Sequence, residues 1–286
     1  DLITYDGDGA TSDLWAAGGT FTEGSSTIIM TGTSKTINFT ADQDVYALTI
    51  NGTITLDCVD STTGSFWIND NLDVKTSKTL SSANSEAIII PNDATDAGIY
   101  IRSAATGIAG LYKLKIVHTS GTISVPECTT PRIFCSGSGG TTTATGDLTI
   151  TTELEVASGT TFNANGNTIA THAIDGNGSG TLDISNSILN LNLASGYTLT
   201  FDSTFNLTTG NSQINGRSTT EHANCSFPQA GDFEVVGDVK WLKMLAESDL
   251  TVIGAVVDCS MADSTANIRQ WHHTLDTQQL LDADSG

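Results

Sequence analysis

The chain has 286 residues, of which 11 are Lys or Arg and 32 are Asp or Glu, so its formal net charge is −21. This acidity argues against a nucleic-acid-binding role, because phosphate must be neutralised by a basic surface, and against binding to anionic membranes. Only 15% of the residues are charged, whereas 45 are Thr and 38% are hydrophobic, which indicates a folded chain with a hydroxyl-rich surface.

Strand signals dominate the chain up to about residue 216, and no apolar run reaches the roughly 18 to 20 residues of a membrane-spanning helix. Short segments alternate apolar with polar residues and are bounded by Gly, Asn, Asp or Ser. In chain order they lie at 27–30, 36–39, 47–50, 53–56, 87–90, 98–101 and 111–118, and they continue through 146–216.

The segment 146–216 repeats one phrase, a Gly followed by a small polar residue and an alternating apolar triplet. The phrase restarts at Gly180 and again sixteen residues later at Gly196, whereas other restarts lie nearer twenty residues apart. A loose repeat of this kind is typical of a β-solenoid, in which each coil buries its apolar side against the next coil. We therefore predict an all-β fold, a right-handed parallel β-solenoid with Thr and Asn stacked in outward rows.

The alternative fold is an antiparallel β-sandwich or jelly roll, in which turn signals recur at intervals of about 8 to about 12 residues. Asn51 and Gly52 stand between two alternating segments and favour a hairpin at that point. Asn165 and Gly166 form a second such dipeptide.

Four regions are predicted along the chain: an N-terminal segment at 1–20, the β-solenoid at 21–217, a linker or long loop at 218–231, and C-terminal strands with a short helix at 232–286. The helix is placed at 274–281. This last region is predicted to cap the solenoid or to attach it to a partner. Its candidate contact residues are Trp241, Trp271 and Leu280, for which core packing is the alternative.

Two of the five cysteines, Cys128 and Cys135, flank a short loop and are placed for a local disulfide. Buried free thiols are the favoured interpretation, since an odd number of cysteines fits poorly with a complete disulfide framework. No pair has the close spacing that is typical of a zinc site.

One segment resembles the first half of a calcium-binding loop. Asp175, Asn177 and Ser179 place oxygen ligands at alternate positions, and Gly180 stands at the sixth. The twelfth position is Asn186 instead of the usual bidentate Glu, so a coil corner rich in Asn and Gly is the favoured interpretation. No cofactor is predicted, and calcium is the one candidate.

No catalytic constellation is predicted, and the chain is expected not to be an enzyme. Glycoside hydrolysis requires two carboxyls across a groove, and the candidate pairs are Asp93 with Asp96, Glu153 with Glu155, and Asp183 with Asp202. A polysaccharide lyase would add a basic residue, yet no Lys or Arg occurs between Arg132 and Arg217. Solvated surface carboxylates are therefore the favoured interpretation.

Three N-terminal segments resemble secreted and virion-borne β-solenoid repeat proteins: an Asp- and Gly-rich opening at 4–15, a strand phrase at 24–30 and another at 45–56. Similar chains rich in Thr, Gly and Asn occur in tailed-phage virions and among bacterial surface adhesins. The resemblance covers roughly residues 1–216 and carries over no catalytic residue.

The resemblance implies a non-enzymatic structural protein of a bacteriophage virion surface, such as a capsid decoration, fibre or spike-like component. Its expected partners are copies of itself, other virion proteins and a host surface glycan, without nucleic acid. The alternatives are a secreted bacterial adhesin or extracellular filament subunit at the cell surface, and a polysaccharide depolymerase.

Overall fold

The computed structural model describes most of the chain between residues 25 and 191 and shorter segments on either side. The described residues are 2–5, 12–13, 25–39, 42–58, 64–92, 98–101, 107–191, 198–201, 204–208, 212–216, 224–226, 233–240, 243–244, 250–253 and 257–258. No helix occurs among them, and in particular none that is long and apolar enough to cross a membrane.

Twenty-seven strands account for the regular structure of the described residues. In the first part of the chain they are β1 (Leu2–Tyr5), β2 (Ser12–Asp13), β3 (Thr27–Phe39), β4 (Gln43–Val45), β5 (Ala47–Cys58), β6 (Ser65–Ile68), β7 (Asn71–Val74), β8 (Thr79–Ser82), β9 (Ala87–Asn92) and β10 (Gly98–Ile101). In the middle they are β11 (Lys113–His118), β12 (Thr122–Val125), β13 (Cys128–Gly137), β14 (Thr141–Ala144), β15 (Leu148–Val156), β16 (Thr161–Asn163), β17 (Thr168–Gly176), β18 (Thr181–Asp183) and β19 (Ile188–Leu191). The last are β20 (Thr198–Phe201), β21 (Asn206–Thr208), β22 (Ser212–Gly216), β23 (Asn224–Ser226), β24 (Phe233–Lys240), β25 (Lys243–Met244), β26 (Leu250–Ile253) and β27 (Val257–Asp258).

Every strand pairing among these elements is parallel, and strands within the stack pair with the coil before and the coil after. This arrangement confirms the predicted parallel β-solenoid and overturns the antiparallel sandwich. Parallel neighbours cannot be joined by a two-residue turn, so the chain must travel around a whole coil before it returns to the same sheet.

Each coil is three-sided, and the chain visits the three faces in a fixed order. The first face contains β7, β10, β12, β14, β16, β18 and β21; the second contains β8, β19 and β22; the third contains β4, β6, β9, β11 and β20. The long strands turn a corner within their length. In β13 and β15 a register shift, between Thr130 and Arg132 and between Ile150 and Glu153, separates the part on the second face from the part on the third.

The coils are most regular between β14 and β18. Thr141, Thr161 and Thr181 are register partners on the first face and are equally spaced along the sequence. The predicted outward row of Thr is therefore present. The restart at Gly180 and Gly196 is not a coil period, because Thr181 lies on the first face and Thr198 on the third.

The hairpin that Asn51 and Gly52 favoured under the antiparallel alternative does not form. Both residues continue β5, where they pair in parallel with Thr31 and Gly32 of β3. A Cβ on Gly52 would lie 2.2 Å from the carbonyl oxygen of Gly32, so the glycine permits close contact between coils instead of a turn. Asn165 and Gly166 do form a turn, with φ of 53° and 79°, but it joins strands on two different faces.

Inward side chains form one continuous core. One row runs through Phe66, Ile88, Leu114, Ile133, Leu154 and Ile174, and all six are at most 1% exposed. Burial of each such side chain stabilises the fold by about 1.5 to 3 kcal/mol. The alternation that predicted the strands is therefore the alternation between core and surface.

The predicted domain boundaries at residues 20, 217 and 231 stay predictions. Within the predicted linker the structure describes β23, and after it β24 to β27, all paired in parallel with neighbouring strands. The helix predicted at 274–281 lies outside the described residues.

A buried carboxylate connects two coils at the corner before β9. Glu86 is 0% exposed and accepts hydrogen bonds from the backbone N–H of Cys58 at 3.2 Å and of Asn84 at 2.6 Å. The Asn84 Nδ2 amide donates a third hydrogen bond at 3.3 Å. The three donors compensate for the burial of the carboxylate.

Replacing Glu86 with Ala removes the acceptor for two backbone N–H groups, so we expect the free energy of unfolding to fall by about 2 to 4 kcal/mol. Glu86→Gln keeps one acceptor oxygen and should lose less. Urea unfolding of both variants measures the effect, with Glu127→Ala as the control, because Glu127 is exposed. Equal losses for Glu86→Ala and Glu127→Ala would contradict the assignment.

Candidate interaction surface on the third face

Two parallel rows of outward side chains on the third face carry its charged residues, in register from coil to coil. The first row contains Ala87 in β9, Lys113 in β11, Arg132 in β13, Glu153 in β15 and Ala173 in β17. The second row contains Trp67 in β6, Lys115 in β11, Phe134 in β13, Glu155 in β15 and Asp175 in β17, and between Trp67 and Lys115 it passes through Ile89 of β9, which is buried. Together these rows define the candidate interaction surface.

The cations of this surface contact aromatic rings. The Nζ atoms of Lys113 and Lys115 lie 5.3 Å and 5.2 Å from the centroid of the Phe134 ring. The Arg132 guanidinium lies 5.0 Å from the centroid of the Tyr112 ring, and its Nη1 donates a hydrogen bond to the Tyr112 hydroxyl at 3.1 Å. Each contact contributes about 0.5 to 1 kcal/mol where it is exposed and fixes the position of a long side chain.

The same three cations form no ion pair with a described carboxylate. Between described residues the single ion pair within 4.0 Å joins Lys75 to Asp73, on the first face. Arg132 and Glu153 are register partners on adjacent strands, yet Arg132 is held by Tyr112. Positive charge is therefore presented on β11 and β13, and negative charge on the next two coils.

The surroundings of Glu155 change the pKa of its carboxyl. Its partial burial raises the pKa of this carboxyl, and the neighbouring charges of Asp175 and Glu153 raise it further, whereas Lys113 and Lys115 lower it. These opposing effects arise because Glu155 lies where the cationic coils meet the acidic ones.

The calcium-loop residues begin on this surface with Asp175 and continue around the corner that follows β17. Asp175 ends the second outward row, the Asn177 amide Nδ2 donates to Glu155 Oε1 at 3.5 Å, and the Ser179 hydroxyl lies 3.1 Å from that of Ser158 in the previous coil. These contacts are those of a coil corner. Among the described residues no group of three or more His, Cys, Asp and Glu is placed to hold a metal ion, and the calcium site stays a candidate.

Of the predicted carboxylate pairs, the structure describes Glu153 and Glu155 as outward neighbours on β15. Asp183 lies on the first face, while Asp93, Asp96 and Asp202 lie outside the described residues. The contact residues predicted in the C-terminal region, Trp241, Trp271 and Leu280, also lie outside the described residues.

A second polar group is buried beneath the corner that follows β11. His118 is 0% exposed, and its Nε2 lies 2.8 Å from the hydroxyl of Thr142 on the first face. Burial lowers the pKa of His118 to about 4. Glycine is required at position 137 in the next coil, because a Cβ there would lie 1.8 Å from the His118 carbonyl oxygen.

The described cysteines are buried free thiols at Cys58, Cys128 and Cys135, so no local disulfide joins the last two. Burial raises the pKa of the Cys128 and Cys135 thiols to about 12. Both side chains therefore act as apolar core residues and not as nucleophiles.

No protein-family model, no curated protein and no solved structure matches the chain. The candidate interaction surface therefore rests on geometry. Sequence reasoning missed it because its members are separated by a coil length and meet only through the register. The available signal was the alternation of Lys113 and Lys115 in one strand, with Arg132 and Phe134 about one coil later.

The buried His118 makes stability sensitive to acid. Because its pKa is about 4 in the folded chain and near 6.5 in the unfolded chain, the unfolded state binds a proton first as the pH falls. We expect a loss of roughly 2 to 3 kcal/mol between pH 7 and pH 4 from this residue, full stability above pH 6.5, and no further loss well below pH 4.

Urea unfolding at pH 7, 5.5 and 4 tests this, with His118→Gln as the comparison. The variant keeps a polar group near Thr142 but does not titrate, so its stability should fall less than that of the unsubstituted chain. Identical pH profiles for the two proteins would refute the role of His118.

Proposed function

We propose that the chain is a non-enzymatic structural component of a bacteriophage virion surface, such as a capsid decoration, fibre or spike-like protein. The observation that carries the proposal is the stacking of similar coils around one continuous core, which produces a stiff element with repetitive outer faces. Such quasi-one-dimensional stacks present an extended surface whose length is set by the number of coils.

The composition of the outer faces supports the same role. The Thr row of the first face and the Ser–Ser contact between Ser158 and Ser179 present hydroxyls where many soluble proteins carry ion pairs. Salt weakens contacts between such uncharged hydroxyls less than it weakens surface ion pairs. The net charge of −21 keeps copies soluble and disfavours adsorption to nucleic acid inside a particle.

Gold-labelled antibodies raised against the purified chain test this assignment on whole particles. On purified phage particles that contain the chain we expect labelling at regular positions of the capsid, tail or fibres. Antibodies that have first been absorbed with purified chain should give no labelling. Labelling of the bacterial envelope in the absence of phage would overturn the assignment in favour of an adhesin or filament subunit.

The third face also supports a second candidate, a polysaccharide depolymerase. The sequence between Arg132 and Arg217 contains no cation, but the register brings Lys113 and Lys115 close enough to influence the Glu155 carboxyl. A carboxyl with a raised pKa, with a second carboxyl and cations beside it, is a feature of sites that cleave acidic glycans.

Incubation with polygalacturonate, followed by assays for reducing ends and for unsaturated uronates, distinguishes the two candidates. The structural proposal predicts no release above that of a Glu153→Gln/Glu155→Gln double variant. Release that this double variant abolishes would overturn the structural proposal and establish the depolymerase.

A further inference from the structure

The charges of the candidate interaction surface are segregated by coil. β11 and β13 carry Lys113, Lys115 and Arg132, and the next two coils carry Glu153, Glu155 and Asp175. These three cations belong to a chain that has only 11 Lys and Arg in total. A uniform polyanion laid along the solenoid axis would be attracted by the first two coils and repelled by the next two.

A two-fold axis can place this surface against that of a second copy with opposite charges facing each other. The axis lies in the plane between the two faces, runs parallel to the strands and passes midway between β13 and β15. It keeps each outward row opposite the same row of the second copy and reverses the order of the coils. Every contact then occurs twice, which is the property of an isologous interface.

The register fixes which residues oppose one another across this axis. Arg132 opposes Glu153 of the second copy, and Lys115 opposes Asp175. Phe134 opposes Glu155, the carboxyl whose pKa is already raised by partial burial. The two solenoids therefore run in opposite directions, with the cationic coils of each against the acidic coils of the other.

We propose that two copies of the chain associate face to face through this surface, with the two-fold axis between β13 and β15. This inference deepens the proposed structural function and rests on it, because it names a surface through which copies assemble. It differs from the C-terminal contact predicted from sequence.

The positions around the charged pairs are compatible with this arrangement. Lys113 opposes Ala173, so this pair does not join like charges. Coils are spaced by about 4.8 Å along the solenoid axis in both copies, and alternate residues by about 6.6 Å along each strand. The two rows of one copy therefore have the same spacings as the two rows of the other, and all the opposed pairs meet at once. Two Arg–Glu pairs and two Lys–Asp pairs result.

The occupant favoured by these charges is a second copy and not a glycan, since only a second copy supplies anions opposite the cations and cations opposite the anions. The charges far from the interface repel each other, because both chains are acidic. At about 0.15 M salt the screening length is about 8 Å, so this long-range repulsion is largely screened, whereas the close pairs across the interface are screened less.

Charge reversal tests the proposal on the full-length purified chain by sedimentation equilibrium. The unsubstituted chain should reach twice its mass of 29.8 kDa. Both Lys115→Glu/Arg132→Glu and Glu153→Lys/Asp175→Lys should be monomeric, with the dissociation constant raised at least about 100-fold. An equimolar mixture of the two variants should restore a dimer, because all four pairs of the mixed dimer then join opposite charges.

The control is Thr76→Glu/Lys78→Glu, which adds negative charge at the corner between the first and second faces, leaves the Lys75–Asp73 ion pair in place and should leave the dimer intact. Far-UV circular dichroism confirms that each variant is folded.

The proposal is overturned by a monomeric unsubstituted chain, by a dimer that survives both reversals, or by a mixture that stays monomeric. A monomer that binds polygalacturonate through Lys115 and Arg132 would assign the surface to a glycan instead. None of these results bears on where the protein resides, so the virion assignment is tested separately.

Discussion

The constraint on which this structure depends is the parallel register between coils. Each residue within the stack has a partner about 4.8 Å away in the coil before and another in the coil after, so a side chain must suit a whole row and not only its own position. Inward rows must be continuously apolar, as in the row from Phe66 to Ile174. Outward rows differ between faces: the first face stacks uncharged Thr141, Thr161 and Thr181, whereas the third face stacks Glu155 on Asp175.

The same constraint explains the unusual polar residues. Where the chain turns a corner, backbone groups leave the ladder and need other partners. Glu86 provides an acceptor at one corner and His118 is enclosed at another. Asn163 and Asp183 are register partners that act alike, since the Oδ1 atom of each accepts from the backbone N–H two positions further along its own coil. A residue composition rich in Asn and Gly is therefore a consequence of repeated corners.

Strand existence and the solenoid fold were predictable because period-two alternation and repeated Gly reflect local rules. The assignment of strands to faces was not, because coil lengths vary: Leu182 is nearer in sequence to its register partner Phe162 than to its partner Leu207. The Asn51–Gly52 dipeptide misled for a related reason, since a hairpin and a glycine contact between coils have the same local sequence. The third-face surface requires residues from β6 to β17 to be placed in register, which no local pattern encodes.

The negative charge also has a more specific meaning in the folded chain. It is not a uniform coat, since on the third face two cationic coils adjoin two acidic ones, and the cations are held by Phe134 and Tyr112. This order depends entirely on the register. A shift of the coils by even one residue would exchange outward and inward side chains and abolish this order.

Dipolar electron spin resonance tests the register most directly, in a background whose five cysteines are replaced by alanine. Spin labels on cysteines introduced at Thr122 and Thr181 are three coil steps apart, and labels introduced at Thr122 and Asn206 are four. Stacking in register predicts backbone separations of about 14 Å for the first pair and about 19 Å for the second. The two separations differ by only one strand spacing, because the whole coil of chain between Thr181 and Asn206 advances the stack by a single strand. Separations that differ by much more than one strand spacing, or that decrease, would contradict the stacked-coil account.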